Sequence, residues 1–278
     1  MDRYPKGLEP RFVDIIIAGP GRAGGALALA AAAVGHTIVG LVSRSEALGG
    51  QFSRIDYETP LPRADLLVVA VRDSFISEVA NRLAPFASEA AAAVHLSGFG
   101  SVALLSPLGA AGVAIGSFHP LQTLPSPTEG ARALAGSWVG VTAGNELRGT
   151  LWDFAATLSM NPFDLADDQK PAYHAAASAA SNFVVAALGL SERLFAAAGV
   201  APAAARPLTE RVVANAYSLG AVAALTGPIA RGDWPTVSGQ VEAARAAGLG
   251  EAYLAMAQAT ANLANRELPT SVFRLPPS

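Results

Sequence analysis

Short apolar runs alternate with helical patterns along the first half of the chain. The first run, residues 12–18, is rich in β-branched side chains, ends in glycine and precedes an Ala/Leu-rich helical segment at 23–34. Further runs follow at 37–43, 66–71, 92–96, 113–118 and 138–142, with a helical pattern at 74–83. Strands that alternate with helices predict an α/β fold with a doubly wound parallel sheet.

The second half has a different pattern, without a recognisable strand. Alanine-rich helical segments cover residues 171–198, 203–225, 236–247 and 251–265. We therefore predict a boundary near Gly149. A sheet domain would occupy residues 12–149, and an all-α domain for substrate binding and dimerisation would occupy 150–268.

Composition excludes several kinds of chemistry. The 278 residues include no Cys and four His, so cysteine nucleophiles, disulfides and cysteine-based metal sites are ruled out, and we expect no metal. The net charge of −3 provides no basic surface for nucleic acid or an anionic membrane. The most apolar stretch contains glycines, Pro20 and Arg22, and the N-terminus has no signal-peptide pattern, which favours a cytoplasmic protein without a membrane span.

The turn after the first strand carries a dinucleotide-binding pattern. It consists of Gly19, Pro20, Gly21, Arg22, Ala23 and Gly24. The three glycines would allow a tight turn, a close approach of the backbone to pyrophosphate, and close packing of helix on strand. Because the pattern lies between a strand and a helix, it predicts a Rossmann-type nucleotide site. The alternative is a glycine-rich turn that only connects the two elements.

The residue twenty positions beyond Gly24 indicates which dinucleotide binds. This residue is Arg44, flanked by Ser43 and Ser45, where an NAD-binding protein has a carboxylate. An arginine can form charge-assisted bonds to a ribose 2′-phosphate, and the two hydroxyls can add donors. We therefore predict NADP as the cofactor. The alternative is a solvated surface arginine.

Polar residues at the other strand ends are further candidates, because ligands bind outside the carboxyl ends of strands in open α/β sheets. Val71 ends one run and Arg72 follows it; both are expected to contact the cofactor, although Arg72 and Asp73 could instead cap a helix. Ser97 follows the next run. His119 follows a third run and precedes a proline, and its side chain suits proton exchange near neutrality. The alternative for His119 is an imidazole satisfied by loop carbonyls.

The remaining histidines of the sheet domain have simpler explanations. His36 enters the second strand from the opposite end of the sheet. His95 lies inside a strand, where we expect a core residue whose ring finds a backbone partner.

One predicted helix of the second domain carries a polar stripe. At 100° per residue His174, Ser178, Ser181 and Asn182 fall within roughly a 100° arc. They could line a substrate cleft, or the two serines could permit close helix packing. In a later loop, Arg231 could hold a substrate carboxylate or pair with Asp233 on the surface.

These segments together resemble a two-domain family that combines a Rossmann-like domain with domain of unknown function 2520. That family is similar to NADP-dependent reductases, including a deazaflavin-linked group, and to 6-phosphogluconate and β-hydroxyacid dehydrogenases. The resemblance is carried by residues 19–24, 42–45, 96–98, 117–121, 173–178, 181–182 and 224–233.

More distant resemblances imply roles for single residues. His119-Pro120 is similar to the His-Pro of prephenate dehydrogenases, in which the histidine bonds the substrate hydroxyl and a serine like Ser97 assists. β-Hydroxyacid dehydrogenases and ketopantoate reductases use a lysine early in the interdomain helix, with an asparagine or similar group one turn later. Here Lys170 is followed at that spacing by His174, so the resemblance assigns no role to Lys170.

The sequence thus predicts an NADP(H)-dependent oxidoreductase that acts on a small carbonyl, imine or hydroxy acid between its two domains. His119 would exchange the proton, and Ser97, His174 and Asn182 would orient the reacting atom. Arg231 and Ser178 would bind substrate. An NADP–deazaflavin oxidoreductase and a non-enzymatic NADP-binding regulatory protein are the alternatives. The alanine-rich helices, poor in charge, predict a homodimer.

Overall fold

A mixed eight-stranded sheet forms the centre of the first part of the protein, in the order β3-β2-β1-β4-β5-β6-β7-β8. A computed structural model describes residues 12–272. The strands are β1 (Asp14–Ala18), β2 (Thr37–Val42), β3 (Arg54–Ile55), β4 (Ala64–Val69), β5 (Ala90–His95), β6 (Ala114–Leu121), β7 (Trp138–Ala143) and β8 (Asn161–Asp164).

Helices cover both faces of this sheet, which confirms the doubly wound α/β fold. Along β1, Ile15 and Ile17 enter the core on one face, and Ile16 enters the core on the other. Strands buried on both faces are continuously apolar, which explains the runs in the sequence. The helices are α1 (Arg22–Ala33), α2 (Ile76–Leu83), α3 (Ser106–Ala110), α4 (Pro127–Leu134), α5 (Asn145–Thr157) and α6 (Lys170–Ser178).

The last strands depart from a fully parallel sheet. β7 runs antiparallel to β6, and β8 is parallel to β7. The sequence pattern predicts no strand beyond residue 150; this is wrong, because β8 adds an edge strand there. Its four residues include Pro162 and lack alternation of apolar and polar side chains, so the sequence gives little strand signal.

The chain divides into two compact units, Met1–Ser178 and Ala179–Ser278. The boundary expected near Gly149 is therefore too early. Gly149 lies inside α5, which packs on the sheet, and β8 and α6 also belong to the first unit. The change to a helical pattern thus begins before the sheet unit is complete.

The second unit is helical in its described part. It begins with a π-helical turn, Ala179–Phe183, followed by α7 (Val184–Ala197), α8 (Arg206–Leu219), α9 (Ala221–Ala224), α10 (Pro228–Arg231), α11 (Trp234–Ala246) and α12 (Gly250–Leu263). The helix expected over 203–225 is broken at Gly220, whose φ is 85°. A small core forms around Ile229, Val237 and Val241. No residue of α7 or α8 is buried.

One helical run in the described part of the chain, Asp167–Ala197, is long and apolar enough to cross a membrane by length and composition. This is weak evidence for a span, because helices of soluble proteins meet the same criteria.

Candidate functional site

Two glycines of the β1–α1 turn are required by packing. Gly19 has a φ of 92°, and a Cβ atom on it would lie 2.7 Å from Val71 Cγ1 and 2.9 Å from the carbonyl oxygen of Ala70. A Cβ atom on Gly24 would lie 2.4 Å from the carbonyl oxygen of Gly19. Val71, expected to contact a cofactor, thus packs on the turn itself.

Gly21 has a different environment. A Cβ atom on Gly21 would meet nothing within 4 Å. Helix α1 begins at the next residue with no side-chain cap and no acidic residue in its first turn. The amides of residues 22–24 precede the first intrahelical bond, from Gly25 N to Gly21 O, and Arg22 is exposed. Uncapped amides beside open space fit a diphosphate.

The end of β2 carries the residues predicted to select the dinucleotide. The Ser43 hydroxyl donates to the carbonyl of Ser45 at 2.5 Å, so its hydrogen is already used. Arg54 donates to the carbonyl of Ser43 and pairs with Asp56. Arg44 is exposed and forms no ion pair with any residue that the structure describes. Its guanidinium is therefore available to an anionic ligand.

Ser97 joins two loops at the carboxyl ends of β4 and β5. Its hydroxyl donates to Asp73 Oδ2 at 2.5 Å and accepts from the backbone amide of Gly100 at 2.7 Å. These bonds commit Ser97 to holding the loops together. Arg72, next to Asp73, lies over the ring of Phe75, 5.0 Å from its centroid.

His119 lies within β6, whereas the sequence pattern ended that strand at residue 118. The strand continues because His119 pairs with Gly140 and Pro120 with Val139. Pairing with β5 stops at Ser117, so this end of β6 has one free edge, where proline is tolerated. The extension carries His119 beyond the end of β5, on the same rim as Ser97.

Two side chains of α6 meet His119 there. His119 Nδ1 lies 2.7 Å from the Tyr173 hydroxyl oxygen, and the rings meet edge to face. The His174 ring also lies edge to face, 5.9 Å from that of His119. A Cβ atom on Gly98 would lie 2.7 Å from His119 Nε2 and 2.8 Å from His174 Nδ1. Only glycine at position 98 leaves both imidazoles in place.

Both members of the hydrogen-bonded pair are uncharged near neutral pH. Burial, and to a smaller extent the neighbouring His174, lowers the pKa of His119 to about 4. Burial raises the pKa of Tyr173 to about 12. His174 Nδ1 is buried and has no hydrogen-bond partner among the described residues. The arrangement therefore offers a neutral imidazole, a protonated phenol and one unsatisfied ring nitrogen.

Lys170, one turn before His174, is completely buried. Its Nζ donates to the carbonyl of Gly100 at 2.8 Å and pairs with Asp167 Oδ1 at 3.0 Å. Burial lowers the pKa of Lys170, and Asp167 opposes this effect. The lysine thus contacts the loop after β5.

The other two histidines are structural, as the sequence suggested. His36 Nδ1 accepts from the amide of Val13, and its Nε2 lies 2.7 Å from the Thr157 hydroxyl. His95 Nδ1 accepts from the amide of Ser97, and its Nε2 donates to the carbonyl of Ser101. Burial lowers the pKa of His95 to about 4, with a further contribution from Lys170.

The remaining predicted residues fall at or beyond the end of the first unit. Ser178 is the half-buried last residue of α6, whereas Ser181 and Asn182 lie in the π-helical turn, with Asn182 exposed. A π turn advances by less than 100° per residue, so the spacing behind the predicted common arc does not apply beyond Ser178. In the second unit, Arg231 is exposed, and Asp233 caps α11 through Thr236 rather than pairing with Arg231.

Sequence reasoning missed three residues of this site: Asp73 as a partner of Ser97, Asp167 and Tyr173. Tyr173 lies 54 residues from His119 along the chain. Tyr173 lies beside His174 and begins one of the segments that carry the family resemblance, but neither signal shows which of two neighbouring side chains faces a strand in another part of the fold.

Family models match both parts of the chain. Residues 5–120 match the model described as Rossmann-like domain, and residues 137–260 match the model described as domain of unknown function (DUF2520). These matches confirm the two-part resemblance carried by the sequence motifs. No curated protein matches the chain at a significant level.

Solved structures share the fold. A proposed NADP oxidoreductase from Bacteroides fragilis is 22% identical, with a TM-score of 0.78 over 90% of this chain and 98% of that chain. A Plasmodium falciparum pyrroline carboxylate reductase with NADP bound is 12% identical, with a TM-score of 0.60 over 90% and 98%. An Aspergillus terreus reductive aminase in complex with NADPH and ethyl levulinate is 16% identical, with a TM-score of 0.62 over 95% and 98%. At these identities the likeness establishes the fold alone.

Proposed function

We propose that the protein is an NADP(H)-dependent oxidoreductase acting on a small carbonyl, imine or hydroxy-acid substrate. The observation that carries the proposal is the meeting of His119, Tyr173 and His174 at the carboxyl-end rim of the sheet. The same rim carries the open, uncapped N-terminus of α1. A nucleotide site and proton-exchanging groups on one rim are the parts that such a reaction needs.

The residues of the first unit fit a nicotinamide dinucleotide. The amides of Arg22, Ala23 and Gly24 would hold the diphosphate beside Gly21, and Arg44 would bind a ribose 2′-phosphate. When bound, such a cofactor accepts or supplies a hydride.

The chain's own contribution is to bind the substrate and to handle its proton. With Tyr173 donating to His119 Nδ1, the proton of His119 resides on Nε2, the nitrogen that faces Gly98. That N–H would donate its proton to a substrate oxygen or nitrogen during reduction, while Nδ1 takes up the proton of the Tyr173 hydroxyl, which solvent then replaces. His174 Nδ1, which has no hydrogen-bond partner within residues 12–272, would orient the same atom. Ser97 would act indirectly, by holding the loop.

An enzyme whose substrate exchanges a proton at a heteroatom has a use for the His119–Tyr173 pair. A regulatory protein needs only to bind NADP, so the pair favours the enzyme. Two of the proteins with a similar fold are named for reactions at C=N bonds, a reductase and a reductive aminase, so cyclic imines belong in the first substrate panel beside 2-keto acids and a deazaflavin.

We also propose that the protein is a cytoplasmic homodimer.

Titration with NADPH and NADH, followed by turnover of the panel, tests the proposal. Arg44→Ala should reduce the preference for NADPH roughly 10- to 150-fold, the worth of a hydrogen bond to a charged group. Arg63→Ala is the matched control, because Arg63 is exposed at the opposite end of β4. His119→Asn should abolish turnover while NADPH affinity persists. Equal affinity of the wild-type protein for NADPH and NADH would refute the assignment of NADP. An equal loss of turnover and of NADPH affinity in His119→Asn would refute the role of His119.

A further inference from the structure

An ion pair between the buried Lys170 and the partly exposed Asp167 contacts the loop that lies beside the two imidazoles. The loop comprises residues 97–101, between β5 and the 3₁₀ turn Val102–Leu105. Lys170 contacts it through the Gly100 carbonyl. Asp167 accepts hydrogen bonds from the Ser101 hydroxyl and, at 3.1 Å, from the Val102 amide. We call Asp167 and Lys170 the loop clamp.

The loop clamp leaves this lysine unsuited to proton delivery. Its side chain is 1% exposed, and its Nζ is occupied by the Gly100 carbonyl and the Asp167 carboxylate. Two of its three ammonium hydrogens are thus committed to protein oxygens. All the polar contacts of Lys170 in the described structure are therefore with the loop and its partner in the clamp.

The position of the loop in turn decides how much room the imidazoles have. Gly98 is so close to His119 and His174 that even a methyl group would displace them. The Ser97 hydroxyl also holds this loop, through its hydrogen bond to Asp73. A displacement of the loop toward the imidazoles would therefore press on His119 and His174.

We propose that Asp167 and Lys170 are positioning residues that hold loop 97–101 against His119 and His174, and that Lys170 does not itself exchange a proton with the substrate. This inference rests on the proposed function for its catalytic consequence. It differs from what the resemblance to β-hydroxyacid dehydrogenases suggests for a lysine early in this helix.

Three variants separate a positioning lysine from a proton donor. Lys170→Met leaves the Asp167 carboxylate unpaired, so it should lower kcat/KM on the order of 100-fold. In the double variant Asp167→Asn/Lys170→Met the amide oxygen still accepts from Ser101 and Val102, so kcat/KM should return to within roughly tenfold of wild type. Asp167→Asn alone, which leaves the buried ammonium without its counter-charge, should also lower kcat/KM. A proton donor cannot be rescued by neutralising its partner.

The matched control is a second ion pair of the same unit. Arg148 and Asp164 pair in the same way but are about half exposed. The double variant Arg148→Met/Asp164→Asn should therefore leave kcat/KM unchanged, because exposed pairs contribute little. Thermal unfolding of every variant shows whether it folds.

Nitrogen-15 spectra of the histidine rings provide a readout that needs no substrate. The ring signals of His119 and His174 should shift in Lys170→Met and return toward wild-type positions in the clamp double variant. Unshifted signals in Lys170→Met, or a double variant as inactive as Lys170→Met, would overturn the proposal. Should the wild-type protein turn over nothing, the proposed function fails, and the ring signals alone still decide whether the clamp positions the loop.

Discussion

The Nδ1 atom of His119 lies 2.7 Å from the hydroxyl oxygen of Tyr173, and their rings stand at 90° to each other. The bond joins a strand of the sheet to α6, so it fixes the imidazole by a contact between two regular elements. Because the pKa of His119 is lowered to about 4 and that of Tyr173 raised to about 12, both stay uncharged over a wide pH range. A single tautomer of the imidazole is thereby favoured.

Replacing Tyr173 with Phe tests this coupling. The ring would keep its packing on His119, but Nδ1 would lose its hydrogen bond, so kcat should fall roughly tenfold, as for a neutral hydrogen bond, with little change in NADPH affinity. Stopped-flow turnover and a binding titration measure the two effects. Tyr217→Phe is the control, since Tyr217 is 87% exposed. An unchanged kcat in Tyr173→Phe would contradict the coupling.

Gly98→Ala tests the close approach of the loop to the imidazoles. The added methyl would lie 2.7 Å from His119 Nε2, so we expect turnover to be lost while the protein still folds. Gly149→Ala is the control, because a Cβ atom there meets nothing within 4 Å and Gly149 lies inside α5. That control should stabilise the protein by about 0.4–1 kcal/mol. Wild-type turnover in Gly98→Ala would show that the loop can yield.

Local patterns predicted the parts of the site that depend on neighbours in sequence. The turn from Gly19 to Gly24 lies between a strand and a helix, so its glycine spacing predicts which backbone amides at the start of α1 have no capping partner. His119 was recognised because it follows an apolar run. The hydrogen bond between His119 and Tyr173 joins residues 54 positions apart, and Lys170 reaches a loop 70 residues away. Such pairings depend on the packing of α6 on the sheet, which periodicity does not encode.

Acid should destabilise the protein through its buried histidines. The pKa values of His95 and His119 are about 4, mainly because burial disfavours the charged form, and an unfolded histidine titrates near 6.5. As the pH falls below about 6.5, the unfolded chain takes up protons that the folded chain does not. The free energy of unfolding should therefore fall by up to about 1.4 kcal/mol per pH unit for each histidine, until the folded residues titrate near pH 4.

Urea unfolding between pH 8 and pH 4.5 measures this slope. His95→Gln should reduce the slope, because the amide can replace the bonds to Ser97 and Ser101 without titrating. The lowered pKa of Asp167 affects stability only at more acidic pH, since a carboxylate with a depressed pKa loses its contribution below its ordinary titration range. An identical slope in wild type and His95→Gln would show that other groups cause the acid sensitivity.

The exposed apolar side chains of α7, α8 and α9 predict self-association. Val185 is 67% exposed, Leu208 64% and Val222 66%, and no residue of α7 or α8 is buried. Burial of one such side chain contributes about 1.5–3 kcal/mol, so a few of them suffice to hold two copies together. Light scattering should give twice the 28.2 kDa of one chain. Leu208→Glu should shift the mass toward one chain, whereas Val34→Glu, at an exposed position in the first unit, should not. A single-chain mass for the wild-type protein at micromolar concentration would contradict the homodimer.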